Sequence, residues 1–126
     1  MRRIKILIIS SAPFGRVIEY LFLGQSEFEV VGTVNGLELL EQQDQRIIPD
    51  LILLNVKPVG TGIREMVASI KRYSPMSKVI LTCPIENLSC LARECGAEAY
   101  LRDEELAGNL VRMARTLSAQ PTVANT

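Results

Sequence analysis

Polar side chains follow directly on apolar runs at four places in this chain. Ser10 and Ser11 follow IKILII, Asn55 follows LILL, Thr82 and Cys83 end KVILTC, and Arg102 and Asp103 follow AYL. These are hydroxyls, an amide, a thiol and one guanidinium–carboxylate pair. A serine or threonine nucleophile needs a neighbouring base, and the chain contains no histidine. That absence removes imidazole acid–base work, phosphohistidine chemistry and most zinc sites together. Magnesium prefers anionic oxygen ligands, and only Asp103 in the set supplies one. Cys83 has no adjacent charge to lower its thiol pKa, so a packed, inert side chain is expected. Cys90 and Cys95 stand five apart, on different sides of a helix, and no Cys-x-x-Cys occurs. SSAPFG, starting at Ser10, lacks the lysine and glycine spacing of a P-loop. No metal, no cofactor and no enzymatic activity are expected.

The elements that position these residues alternate in pattern. IKILII (4–9), FEVVGTV (28–34), DLILLN (50–55) and KVILTC (78–83) read as strands, with AYL (99–101) a shorter fifth. Several are apolar almost throughout, the signature of parallel strands buried on both faces. Between them lie helical stripes: Val17, Ile18, Leu21 and Phe22; Ile63, Met66, Val67 and Ile70; Leu88, Leu91, Ala92 and Cys95; Leu106, Leu110, Val111, Ala114 and Leu117. NGLELLEQQ (35–43) reads as a shorter helix entered from an Asn-Gly turn. Pro13 and Pro84 suit helix starts and Gly96 a helix end. Such βα units predict an open parallel sheet with helices on both faces. Ligands of such sheets sit beyond the strands' carboxyl ends, where the four polar sites fall.

The bulk numbers narrow the function classes. A chain of 126 residues suits one domain, and 48% hydrophobic content with a mean hydropathy of +0.20 excludes extensive disorder. Fourteen basic residues balance 14 acidic ones, so no nucleic-acid binding is expected. MRRIK reads as solvation of a strand start. No apolar run approaches the roughly 20 residues of a membrane span, and IKILIIS is too short for a signal peptide. Three cysteines suit a reducing compartment, so a cytoplasmic location is expected. Residues 1–117 form the expected domain, with 118–126 a flexible tail or the start of a linker.

Over about residues 4 to 117 the chain resembles the receiver domains of two-component response regulators. KILIISS matches the first strand and the acidic pair that follows it. IPDLILLN matches the strand bearing the phosphoacceptor aspartate, KVILTC the strand ending in a hydroxyl residue, and CGAEAYL the stretch before a lysine. The resemblance implies a flavodoxin-like fold with strand order 2-1-3-4-5. It also places the family's functional positions. The magnesium-binding acidic pair falls on Ser10 and Ser11, the phosphoacceptor on Asn55 and the lysine on Asp103. Thr82 keeps the hydroxyl that contacts the phosphoryl group, and Tyr100 keeps the switch aromatic. The family's Met-Pro is Lys57-Pro58 here, in a loop one residue shorter.

An amide cannot form the acyl phosphate that a carboxylate forms, and the charges that would hold and clamp the phosphoryl group are absent. Asp103 is expected to accept hydrogen bonds from Ser11, Thr82 or backbone amides in a neutral polar cluster. Asn55 either caps the following turn or contacts a regulatory ligand. Tyr100 either keeps the switch role or packs in the core. The expected function is that of a degenerate receiver binding a protein partner without phosphorylation. By resemblance its partner face spans about residues 86 to 116, with Arg93, Arg102, Arg112 and Arg115 beside Glu94, Glu98 and Glu104. That mixed charge suits pairing with a second copy as a homodimer, or is an ordinary solvated surface. Two other readings stand beside it: a small-molecule sensor or carrier using the strand-end pocket, and the receiver half of a larger regulator.

Overall fold

The computed structural model describes residues 3–10, 12–36, 47–55, 62–83 and 96–119. Its elements run β1 (Ile4–Ile9), α1 (Ala12–Leu21), β2 (Phe28–Val34), β3 (Leu51–Asn55), α2 (Ile63–Tyr73), β4 (Lys78–Cys83) and β5 (Ala99–Arg102). A 3-10 turn (Asp103–Glu105) then leads into α3 (Leu106–Ala119). The helix expected around Leu88 to Cys95 lies outside the described residues, as does nearly all of that over 35–43.

The five strands pair in parallel in the order β2-β1-β3-β4-β5, the flavodoxin-like arrangement. Successive strand side chains point to opposite faces, so each apolar run feeds two cores. Leu7, Ile9, Ile52, Leu54 and Leu81 meet Val67 and Ile70 of α2 on one face. Ile6, Ile8, Leu51, Leu53, Ile80 and Leu101 meet α1 and α3 on the other. From α1 comes Ile18 and from the turn after it Phe22; from α3 come Leu106, Leu110, Ala114 and Leu117. Burial on both sides is why β1, β3 and β4 carry few polar residues before their last positions.

Three details differ from the pattern-based expectation. Val17 is 52% exposed rather than inward, because α1 turns Phe14, Ile18 and Leu21 to the sheet. Arg102 joins the last strand. The final helix runs to Ala119, two residues past Leu117, the last residue of its apolar stripe. There Ser118 Oγ donates to the Ala114 carbonyl at 2.8 Å, and Lys78 Nζ to that of Leu117 at 2.6 Å. Gly15 lets α1 approach β2: a Cβ at that position would lie 2.8 Å from Thr33 Cγ2. Thr33 Oγ1 meanwhile donates to Glu19 Oε2 at 2.8 Å, tying helix to strand.

Candidate functional site

The alternation that seats the second core runs on past the apolar residues. Ile6 and Ile8 lead to Ser10, Leu51 and Leu53 to Asn55, Ile80 to Thr82, and Leu101 to Asp103, all on the α1/α3 side. Asn55 is the register partner of Thr82, and Thr82 of Leu101. Ser10, Asn55, Thr82 and Asp103 therefore converge at the carboxyl edge of the sheet. Arg102 pairs with Cys83 and belongs to the opposite face. Ser11 lies outside the described residues.

Asn55 is the centre of the cluster. Its Nδ2 donates to Thr82 Oγ1 at 2.7 Å and to Asp103 Oδ1 at 3.0 Å. Its Oδ1 accepts a long 3.4 Å hydrogen bond from Ser10 Oγ. The amide orientation follows from charge: reversed, it would set an oxygen against the Asp103 carboxylate. Among the described residues the donor to Asp103 is thus Asn55 rather than the expected Thr82, and the Ser11 expectation falls outside them. Both amide protons of Asn55 are used across the strands. Ser10 and Thr82 are buried while Asn55 and Asp103 are partly so, and no buried side-chain nitrogen or oxygen among the described residues lacks a partner.

Burial pushes the Asp103 carboxyl pKa up, and the hydrogen bond from Asn55 opposes that. No group of three or more His, Cys, Asp or Glu among the described residues could hold a metal ion. The cluster is rich in hydroxyl and amide groups and carries one carboxylate. Its groups satisfy one another. Cys83 is fully buried; Cys90 and Cys95 lie outside the described residues.

The expected partner face divides. Tyr100 is 39% exposed, which overturns its reading as core packing. It lines a groove of about 560 Å³ along the edge strand β5, together with Leu101, Glu105, Asn109, Arg112 and Met113. Arg112 bonds Asn109 Oδ1 on the rim. Arg102 lies close by, its Nη1 at 3.2 Å from Glu104 and its Nε at 3.3 Å from Glu105. Arg115 turns away to Glu27, with an ion pair at 2.6 Å. That hydrogen-bonded pairing lowers the Glu27 pKa and raises that of Arg115. Arg93 and Glu94 lie outside the described residues. Asn109 was missed in the sequence reading, although Glu105, Asn109, Arg112 and Thr116 recur at helical spacing and could have marked the groove.

No protein-family model matches the chain. Over 79 residues, 62% of the chain, it is 33% identical to the chemotaxis protein CheY of Listeria monocytogenes, and equally so to that of Listeria innocua. The match spans 66% of those proteins, just under two thirds. The RcsB response regulator of Salmonella typhimurium superposes with a TM-score of 0.80 at 14% identity, over 99% of this chain and 64% of that one. The response regulator domain of Thermotoga maritima CheB gives 0.75 at 23%, over 95% and 100%. The crystal structure of the CheA3 P1 domain in complex with CheY6 from R. sphaeroides gives 0.74 at 23%, over 95% and 100%. The chain has the fold of these receiver domains, and over 79 residues its sequence is similar to that of CheY.

Proposed function

We propose that this domain is a receiver-type module of two-component signalling that acts by protein contact and takes no phosphoryl group. The observation that carries the reading is the amide of Asn55, tied to Thr82 and Asp103 where the resemblance places a carboxylate nucleophile. An amide in that place forms no acyl phosphate. Ser10 brings no charge to a magnesium ion, and Asp103 brings repulsion where a lysine would clamp a phosphoryl oxygen. The module catalyses nothing of its own.

The β5/α3 groove, with Tyr100 and Arg112 on it, is the proposed contact surface. The partner is a signalling protein or a second copy of the chain. The complex that CheY6 forms with a P1 domain supports a protein partner for a fold of this kind. No helix among the described residues is long and apolar enough to cross a membrane. The reading places the domain in the cytoplasm with Cys83 reduced. Incubation with acetyl phosphate and magnesium tests it by intact mass. The mass should not change, and a stable gain of one phosphoryl group would overturn the proposal.

A further inference from the structure

We infer that the strand-end cluster fixes the shape of the β5/α3 groove through a hydrogen-bonded relay from Asn55 through Asp103 to the turn that starts α3. The inference rests on reading that cluster as a site without phosphoryl chemistry, and it assigns the cluster a continuing task. Asp103 is held at two points. Its side chain accepts the Asn55 amide from β3 at 3.0 Å, and its carbonyl accepts the Leu106 N–H at the start of α3. The intervening turn is pinned again by Glu105, whose Oε1 accepts the Arg102 N–H at 2.9 Å and Arg102 Nε at 3.3 Å. From the turn the chain of contacts reaches the groove. The Glu105 carbonyl accepts Asn109 Nδ2 at 3.2 Å, and Asn109 Oδ1 accepts the Arg112 guanidinium. Glu105, Asn109 and Arg112 all line the groove that Tyr100 lines.

The body of α3 is anchored separately by Leu106, Leu110, Ala114 and Leu117 in the core. The freedom left to the groove is therefore in the turn, and among the described residues the turn's side-chain link to the middle of the sheet is the Asn55–Asp103 bond. Among the described polar groups of the cluster, the Asp103 side chain bonds only to Asn55. Loss of either partner releases the same constraint. A site built to be loaded and unloaded would move this turn between states. Here the Asn55–Asp103 bond holds the turn to the sheet.

Amide hydrogen exchange on the whole chain tests the relay with no partner and no phosphate donor in the sample. The outcome is thus independent of whether the domain can be phosphorylated. Asn55→Ala and Asp103→Ala should each lower protection at Leu106, Asn109 and Leu110 by about tenfold or more beyond any loss shared by the whole domain, as expected for a hydrogen bond to a charged group. The double variant should lose no more than either single one. Ser10→Ala, on the far side of Asn55, should leave these amides as they are. Asp103→Asn keeps a neutral acceptor and should give a smaller loss in the same amides; it serves as the comparison if an alanine variant does not fold. Unchanged protection in the turn and first α3 turn, or additive losses from the two partners, would overturn the relay and leave core packing as what sets the groove.

Discussion

Replacing Asn55 with aspartate sets a carboxylate where the resemblance to receiver domains puts the phosphoacceptor, yet it should destabilise this domain, increasingly so as pH rises. The new side chain loses the two amide donations, at 2.7 Å to Thr82 and 3.0 Å to Asp103. A hydrogen bond to a charged group contributes about 1.5–3 kcal/mol. The Thr82 hydroxyl can rotate to donate to the new carboxylate, but Asp103 cannot. Two carboxylates would then face each other at contact distance, and unit charges ~4 Å apart repel by about 4 kcal/mol at an effective dielectric of ~20. A shared proton relieves part of this, so the net loss expected at pH ~8 is about 2–4 kcal/mol.

The sign with pH follows from linkage. The pair's folded-state pKa values are pushed up, and Asp103 is already raised from its ordinary 3.8 by burial. The folded variant therefore binds a proton that the unfolded chain has released. The loss is small below the unfolded carboxylate range and complete above the raised folded value. Urea unfolding of parent and variant at pH ~5 and ~8 measures it. The loss at the lower pH should be less than half that at the higher. A variant as stable as the parent at pH ~8, or a loss independent of pH, would refute the reasoning.

The same variant should still gain no phosphoryl mass from acetyl phosphate and magnesium, because Ser10 and Asp103 supply neither a second metal ligand beside it nor a clamp. In the parent, the raised Asp103 pKa contributes stability below about its unfolded value of 3.8 that is lost as pH rises through the folded value; Asp103→Asn should remove this part of the pH dependence of Tm. Arg112→Glu, on the groove, should weaken binding of any partner or second copy in sedimentation experiments with little change in Tm. Arg115→Glu should leave that binding intact but lower Tm slightly, in a salt-dependent way, by placing a second carboxylate against Glu27. Gly15→Ala gains helix propensity but sets a Cβ against Thr33 Cγ2, at an overpacking cost of about 1–3 kcal/mol. Adding Thr33→Ser, which keeps the hydroxyl bonded to Glu19, should recover the loss in thermal unfolding.

Much of the fold is legible along the chain because hydrophobic period and strand burial are local properties. The five strand runs and the α2 stripe stand where the pattern places them, and the convergence of Ser10, Asn55, Thr82 and Asp103 follows from alternation continuing past each apolar run. That Asn55 ends the third apolar run, where the resemblance to receiver domains puts a nucleophile, was legible in the sequence. Where its amide points was not. That depends on the charge of Asp103, 48 residues away, which turns Nδ2 towards it. The arginines show the same division. Spacing puts Arg112 and Arg115 on one helix, but Arg115 is claimed by Glu27, 88 residues earlier, and only Arg112 is left at the groove. Tyr100 sits on an edge strand, where exposure is set by what packs alongside and not by strand pattern. Backbone periodicity decides which face a residue takes. Its partner there is decided by which distant charge or surface the fold brings within reach: Asp103 for Asn55, Glu27 for Arg115.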